Sequence, residues 1–471
     1  MNRLFSRLLL PLAAFVLVTT IARGERPNVL FIIANDLNHW VGHLGRNPQA
    51  KTPNIDRLAK AGVTFTKAYS NAPACNPSRA SLFSGQWPST TGCYLNGQDW
   101  RPAVSEDKLL TSHLRRAGYR LYGSGNIGAD ERGGSWTDYF APSVGDMTPH
   151  SSAIDDGVGG IKFSPLANPD EDMYDYKVAS YCADRLKEKH EKPFFLAAGF
   201  NKPHMPFSVP KKWFDLFPLE TIELPPHRPD DLDDVPPAGR LMARPEGDHA
   251  QMVQSGRWKE AVQAYLATVA FLDAQIGRVL EALDRSAHRD NTIVVLWSDH
   301  GFSLGEKSHW RKFALWEEPT RVPLIWKVPG VTAAGGVCER AVDYSSIYPT
   351  LCALIGITLP AHLDGRDISA LLKNPRVAWD FPAITTHGFK NHAVRTDRWR
   401  YIRYENGDEE LYDTTVDPLE YVNLAGRREH AAQKVELARW LPKIDAPSLP
   451  TGGGDEEGGH KTGEKAKRNK K

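Results

Sequence analysis

The sequence predicts an α/β fold, in which a mostly parallel sheet is sandwiched by helices and a small antiparallel subdomain follows near the C-terminus. Short apolar runs with turn residues at their ends recur along the chain, at residues 28–34, 120–122, 193–200, 292–297 and 322–328. Continuous apolarity is typical of strands that are buried on both faces. Helical patterns lie between these runs, and the alternation of strand and helix favours a parallel sheet covered on both sides.

The predicted helices are marked by apolar spacing and by glycines at their ends. The longest spans about residues 260–283, where apolar residues recur every three or four positions and predict a core-facing stripe. Residues 54–61 end before Gly62 and residues 108–117 end before Gly118, and glycine is common just after a helix C-terminus. Residues 225–248 contain many Pro and Asp residues without a period, and predict a surface loop.

The composition changes after residue 378. Residues 379–446 are rich in Thr, Tyr, Arg and turn residues, with Asn406-Gly407 as a hairpin signal, and predict an antiparallel subdomain that ends in a helix. Residues 447–471 are poor in apolar residues and end in Lys and Arg, which predicts a disordered tail. Residues 25–378 therefore form the predicted α/β domain.

The first 24 residues have the pattern of a secretory signal peptide. Arg3 and Arg7 precede an apolar run at residues 8–18, and small residues follow near Gly24. An uncleaved anchor is the alternative, but the run is shorter than the roughly 20 residues that a bilayer crossing needs. We therefore expect residues 1–24 to be removed and the mature protein to be secreted or periplasmic, without a membrane span.

The overall composition limits the functional classes. The chain has 471 residues, 41% of them hydrophobic, and a formal net charge of +1, because 58 Lys and Arg residues nearly balance 57 Asp and Glu residues. This balance indicates no basic surface for nucleic acid, so we expect no nucleic-acid partner. The five Cys residues are scattered and odd in number, which favours neither a disulfide framework nor a paired-cysteine zinc site.

Polar side chains directly follow three of the predicted strands, namely Asn35 and Asp36, Asp299 and His300, and Lys202 and His204. Sites in open parallel sheets lie beyond the carboxyl ends of the strands, so these side chains are expected at one edge. A single Asp after a strand is more often a turn or cap residue, but several that converge favour a site. Carboxylate and amide oxygens suit a hard cation, and we predict one calcium ion near Asn35, Asp36 and Asp299.

A cysteine stands at the start of another distinctive run, CNPSRASLFSG, which begins at Cys75. Pro77 in a first turn and Gly85 just past the end predict a short helix with Cys75 at its positive N-terminus. Anions bind readily at such a position. The alternative is a buried, small apolar Cys that happens to precede a helix.

These residues resemble the sulfatase family. The run from Cys75 to Arg79 matches the family's Cys-x-Pro-Ser-Arg core, and the residues from Leu82 to Gly85 match its Leu-x-x-Gly extension. The resemblance covers about residues 26–424, and the segments GFNKPHMPF, SDHGFSLGE and YLATVAFLDAQIGRVLEALD look most similar to the iduronate 2-sulfatase branch. It implies an alkaline-phosphatase-like fold that hydrolyses a sulfate ester of a carbohydrate.

The resemblance also implies roles for individual residues. In this family the motif cysteine is oxidised during export to formylglycine by a formylglycine-generating enzyme, and its hydrated aldehyde attacks sulfur. Cys75 would be this nucleophile and would bind the same ion as Asn35, Asp36, Asp299 and His300, although His300 could instead orient the nucleophile. A geminal diol, unlike a thiol, has a second hydroxyl that drives sulfate release. Arg79 would hold the hydrated aldehyde, and Lys202 and Lys312 would bind sulfate oxygens. His204 would bind sulfate or protonate the leaving alcohol.

The chain departs from the family pattern at two places. Family members commonly have two consecutive Asp residues where this chain has Asn35 and Asp36. The Asn removes one negative charge from the predicted cation site. Asn126 stands where a Lys that faces sulfate is usual, and no His follows nearby. Two alternatives stay open, a phosphatase or phosphonate hydrolase on the same fold and a protein that binds sulfated glycan without turnover.

Overall fold

The computed structural model describes residues 26–128, 136–147 and 157–452, and its α/β fold with a small C-terminal antiparallel sheet confirms the predicted class. The predicted signal peptide and residues 453–471 of the predicted tail lie outside the described residues. Within the described ranges, no helix combines the length and the apolarity that a membrane crossing requires.

Eight strands form the main sheet and four form a separate C-terminal sheet. In chain order the strands are β1 (Asn28–Asn35), β2 (Val63–Tyr69), β3 (Arg120–Gly125), β4 (Asp138–Phe140), β5 (Phe194–Pro203), β6 (Thr292–Ser298), β7 (Ser303–Leu304), β8 (Trp310–Arg311), β9 (Arg321–Lys327), β10 (Gly336–Asp343), β11 (Ala383–Thr386), β12 (His392–Arg395), β13 (Trp399–Arg403) and β14 (Glu409–Asp413). The main sheet has the order β10-β2-β9-β6-β1-β5-β3-β4, and among these strands β9 alone runs antiparallel to its neighbours.

The predicted long helix is confirmed as α9, and shorter helices connect the strands. In chain order the α-helices are α1 (Pro53–Ala61), α2 (Cys75–Ser84), α3 (Pro88–Thr91), α4 (Leu110–Arg116), α5 (Tyr174–Lys187), α6 (Lys211–Phe214), α7 (Pro237–Ala243), α8 (Ala250–Ser255), α9 (Trp258–Arg285), α10 (Glu317–Thr320), α11 (Ile347–Ile355), α12 (Ser369–Lys373) and α13 (Ala431–Ala438).

Helices cover both faces of the main sheet, because successive side chains of a strand point to opposite sides. Leu30 and Ile32 of β1 pack with α1, α5 and α9 in one buried core. Val29, Phe31 and Ile33 pack on the other face with α2, α4, α11 and α12. A strand with apolar side chains on both faces therefore occupies the middle of the sandwich.

The sheet register brings the polar strand ends together. Asn35 at the end of β1 pairs with Pro203 at the end of β5, and Ala34 pairs with Ser298 at the end of β6. The residues that follow these positions consequently lie at the same edge of the sheet.

A buried ion-pair network connects the C-terminal sheet to the main domain. Arg400 of β13 is fully buried and forms ion pairs with Glu317 of α10 and with Glu420. Its guanidinium also donates to the carbonyl of Leu315 (2.8 Å). Buried charges require such pairing, so the network fixes the C-terminal sheet against the chain between residues 312 and 320.

Two segments differ from their predictions. Residues 225–248 include helix α7, because proline is tolerated in the first turn of a helix and its abundance there conceals the element. The tail that was expected to begin at residue 447 is hydrogen-bonded as far as residue 452. The amide of Leu449 donates to the Gly92 carbonyl (3.0 Å), and that of Gly452 donates to the Gly97 carbonyl (2.9 Å).

Candidate active site

Two buried carboxylates, Asp36 and Asp299, form the centre of the cluster at the sheet edge. Neither side chain is exposed, and the Asp36 amide donates to Oδ1 of Asp299 (3.0 Å). Asp36 has a φ of 65°, a left-handed conformation that is uncommon for residues other than glycine. The hydroxyl of Tyr265 on α9 donates to the Asp36 carbonyl (2.8 Å), which holds this turn in place.

Cys75 is the first residue of α2, as its sequence context predicts, and the helix ends before Gly85 in the left-handed conformation. Its Sγ lies 3.1 Å from Nζ of Lys312, 3.2 Å from Nε2 of His300 and 3.8 Å from Oδ1 of Asn35. Burial opposes ionisation of this thiol, but the charges of Lys312 and His300 outweigh it and lower its pKa to about 6. The environment therefore favours a negative charge at residue 75.

Arg79, one turn further along α2, anchors the helix to the cluster. Its Nε (3.1 Å) and a terminal nitrogen (2.9 Å) donate to Oδ2 of Asp299. The other terminal nitrogen donates to both the carbonyl (2.9 Å) and the side-chain oxygen of Asn126. Gly128 lies so close that a Cβ there would be 2.4 Å from Cδ of Arg79. The guanidinium thus has a fixed orientation, and Asn126, at the position where the family usually has Lys, helps to set it.

Lys312 and His300 supply positive charge to the same space. Nζ of Lys312 lies 3.0 Å from Oδ1 of Asp36, and Nε2 of His300 lies 3.4 Å from the same oxygen. Burial would lower the pKa of His300, but the neighbouring Asp299, Cys75 and Asp36 raise it above its ordinary value. Burial opposes ionisation of Asp299 as well, yet His300, Arg79 and Lys312 lower its pKa to about 2.

His204 and Lys202 reach the site from the end of β5. Nδ1 of His204 donates to the Met205 carbonyl (2.7 Å), and its Nε2 lies 4.0 Å from Oδ2 of Asp36. Lys202 is only 1% exposed, and its Nζ donates to the Pro206 carbonyl (2.7 Å) within its own loop. Burial lowers the pKa of Lys202 to about 8. The structure therefore brings His204 to the cluster directly, whereas the ammonium of Lys202 is held by backbone of the adjoining loop.

The donor set fits one divalent cation. The ligand atoms of Asp36, Cys75, Asp299 and His300 all lie within 4.8 Å of one another. Oxygens bind calcium at about 2.3–2.6 Å, so ligands on opposite sides of one ion lie at most about 5 Å apart. Nδ1 of His300 donates to the Gly301 carbonyl (2.9 Å), which leaves Nε2 directed at the cluster.

Sequence reasoning missed two residues that position the site. Asp175 on α5 is buried, and its carboxylate accepts the backbone N–H groups of Asn201 (2.7 Å) and Lys202 (2.9 Å) at the end of β5. The backbone carbonyl of Gln98 accepts a hydrogen bond from Nδ2 of Asn76 (2.7 Å), the residue after Cys75. Neither position carries a local signal, because an Asp in a first helical turn and a Gln in a loop are ordinary choices.

Comparison with known proteins identifies the family. The Sulfatase family model matches residues 27–357, and a model for the C-terminal region of N-sulphoglucosamine sulphohydrolase matches residues 305–446. The chain belongs to the sulfatase family. It is therefore a sulfuric ester hydrolase.

Individual relatives agree with this assignment. A sulfatase of Formosa agariphila is 38% identical over 90% of this chain and 87% of its own length. Iduronate 2-sulfatase of Mus musculus is 32% identical over 86% of this chain and 91% of its own. Among solved structures, the phosphonate monoester hydrolase of Agrobacterium radiobacter aligns with a TM-score of 0.77 at 24% identity, over 88% of this chain and 95% of that one, and shows the shared fold.

Proposed function

We propose that this sulfatase is exported, carries formylglycine at position 75, binds one calcium ion and removes sulfate from a sulfated carbohydrate. The main support for the proposal is that charged side chains lie around Cys75 at the N-terminus of α2, namely Asp36, Asp299, His300 and Lys312. A structural cysteine needs no charged partners, because burial alone suits a neutral thiol. The other four cysteines are buried in this way, and burial raises the pKa of each of them.

The cationic side chains have distinct tasks in this proposal. Arg79 is held by Asp299 and Asn126, so its rigid guanidinium orients residue 75. Lys312 lies beside both Cys75 and Asp36, where its ammonium stabilises negative charge on the nucleophile and on a sulfate oxygen. Lys202 adds a second, buried positive charge at the neighbouring strand end.

Proton transfer to the leaving oxygen is assigned to His204. Its Nδ1 is committed to the Met205 carbonyl, so Nε2 is the nitrogen that faces the site and can give up a proton. His300, by contrast, is fully buried between Asp36, Asp299 and Cys75, and its Nε2 holds residue 75 in position.

Two groups would complete the site. Asn35, Asp36 and Asp299 would hold calcium, which would supply positive charge against the sulfate oxygens. Residue 75 as formylglycine would supply a geminal diol, and its second hydroxyl would allow release of sulfate.

The similarity to mouse iduronate 2-sulfatase supports a carbohydrate substrate, since it extends over most of both chains. The signal-peptide pattern of residues 1–24 supports export to the periplasm or the medium, and a formylglycine-generating enzyme is the expected maturation partner. Localisation of the protein tests export, and the mass of the peptide that contains residue 75, taken from exported protein, tests formylglycine. Retention of the precursor in the cytoplasm contradicts export, and an unmodified Cys75 in a host that has the converting enzyme contradicts formylglycine.

A panel of sulfated mono- and oligosaccharides tests the activity. We expect hydrolysis by the wild type, a loss of about 10³-fold or more in Cys75→Ala, and little change in the control Cys338→Ala, whose thiol is buried in β10. EGTA should abolish turnover, and added Ca²⁺ should restore it. Full activity of Cys75→Ala, or a preference for phosphate or phosphonate monoesters, contradicts the proposal.

A further inference from the structure

A cavity of about 590 Å³ lies next to the start of helix α2. Its lining includes Ala74, which precedes Cys75, and Phe313, which follows Lys312. Asn96 also lines it, and the Oδ1 of this residue accepts the backbone N–H of Asn76 (3.1 Å). The cavity therefore borders the chain directly next to Cys75 and to Lys312.

The opposite wall comes from segments far away in the sequence. Helix α7 contributes Leu241 and Met242, and the loop between β11 and β12 contributes Phe389. Leu241 is 69% exposed, so its side chain is accessible to a ligand in the cavity. Phe313 and Phe389 are half-buried and line the cavity, so part of each ring is accessible from it.

The cavity combines apolar walls with a polar rim. Charged side chains at the rim include the exposed Arg244 and Glu405, while the guanidinium of Arg311 is held by Asp248 (2.6 Å). Sugar rings have the complementary character, because their C–H faces are apolar and their edges carry hydroxyl groups. A ligand with apolar faces and hydroxyl-bearing edges therefore matches both parts of the lining.

Backbone strain is concentrated in the same wall. Among the described residues other than glycine, Arg244 (φ 51°), Arg311 (φ 77°) and Phe313 (φ 75°) have left-handed conformations and line this cavity. Such conformations are unfavourable and persist where the surrounding structure requires them. The strain indicates that this wall has a defined shape.

We propose that the cavity binds the sugar rings next to the sulfated ring, with Phe389 as a stacking platform and Leu241 as a further apolar contact. This inference rests on the proposed function and deepens it, because it names an oligosaccharide or polysaccharide rather than a monosaccharide as the substrate. The volume supports it, since cavities of about 300–1,000 Å³ hold drug-sized ligands. A single sulfate group fills only a small part of that space.

Chain length tests the inference. The probes are sulfated tetrasaccharides prepared from heparin, ulvan and carrageenan, each compared with its sulfated monosaccharide. We expect kcat/KM to be at least tenfold higher for one tetrasaccharide, mainly through KM. In Phe389→Ala and in Leu241→Glu, the tetrasaccharide-to-monosaccharide ratio should fall at least fivefold. In the control Phe140→Ala, whose ring lies on edge strand β4, the ratio should not change. Equal values for every pair, or an unchanged ratio in both variants, overturns the inference.

A binding measurement separates this inference from the proposed function. Cys75→Ala should bind the preferred tetrasaccharide, and a second substitution, Phe389→Ala or Leu241→Glu, should weaken the affinity at least fivefold by calorimetry. Leu241 is exposed, so its replacement is compatible with folding even if Phe389→Ala is not. If no sulfate ester is hydrolysed but this binding pattern is found, the proposed function fails and the saccharide site stands. If no tetrasaccharide binds, or 4-nitrophenyl sulfate is preferred, the site is wrong.

Discussion

Sγ of Cys75 lies 3.1 Å from Nζ of Lys312, and the same ammonium lies 3.0 Å from Oδ1 of Asp36. The buried ammonium of Lys312 thus links residue 75 to a carboxylate of the candidate metal site. The thiol pKa of about 6 is a consequence, because Lys312 is the largest influence that counteracts burial there.

Protein made in a host without the converting enzyme should therefore be alkylated selectively at Cys75. The thiolate is the reactive form, so the rate with iodoacetamide should rise with pH through about 6 and level off above it. Burial raises the pKa of Cys93 and Cys352 to about 12 and that of Cys338 to about 11, so these thiols should react only after unfolding. Peptide mass spectrometry measures each site.

Lys312→Met is the matched variant for this prediction. It removes the main charge that favours the thiolate, so the pH at which alkylation of Cys75 is half-maximal should rise. The interpretation is contradicted if Cys93 in the folded protein is labelled as fast as Cys75. It is also contradicted if the pH dependence of Cys75 alkylation is unchanged in Lys312→Met.

Asn126→Asp should weaken substrate binding without lowering the melting temperature. The new carboxylate keeps the acceptor for Arg79 and forms a stronger, charge-assisted bond, so the melting temperature should be unchanged or higher. It also adds a negative charge beside Arg79, close to where an anionic ester would bind, which should raise KM about tenfold, equivalent to about 1.4 kcal/mol. Steady-state kinetics on the preferred sulfate ester measure this. Asn126→Ala, which adds no charge, should raise KM less; the reverse order would show that charge at this position is unimportant.

Much of the fold and the centre of the site could be predicted from sequence, because their signals are local. The continuous apolar run of β1 indicates a strand buried on both faces, and parallel strands bring Asp36 and Asp299 to one edge. Helix α7 is not predicted from the sequence, because the prolines in this segment are also typical of loops. Gln98 and Asp175 were also missed, because their roles depend on partners that only the folded chain brings close.

Asn35→Asp should tighten calcium binding. Asn35 offers one neutral oxygen, 3.8 Å from Sγ of Cys75, and a carboxylate there would add a negative charge to the donor set. Calcium affinity rises with ligand charge, so we expect the Kd to fall by about an order of magnitude. Activity of EGTA-treated enzyme against free Ca²⁺ measures the change. The control Asn374→Asp adds the same charge at an exposed position, and an equal effect of both substitutions would exclude a direct role for Asn35.

The C-terminal segment 446–452 braces the loop that holds the start of α2. Nε2 of Gln98 donates to Oγ of Ser448 (2.7 Å) and to the Leu449 carbonyl (2.6 Å), while the Gln98 carbonyl accepts from Asn76. The hydroxyl of Tyr94 donates to the Ala446 carbonyl (2.8 Å). These bonds form a continuous path from the C-terminal segment to the neighbour of Cys75.

Truncation after Ala446 should therefore lower both stability and kcat. Gln98 is 4% exposed, and removal of its two acceptors leaves buried N–H groups unsatisfied at a cost of about 1–3 kcal/mol. The loosened loop no longer fixes Asn76, so kcat should fall while KM changes little. Truncation after Gly452 keeps every one of these bonds and is the matched control. If both truncated proteins have the melting temperature and kcat of the full chain, segment 446–452 does not position residue 75. If kcat falls only in the truncation after Ala446, the hydrogen bonds through Gln98 account for the loss.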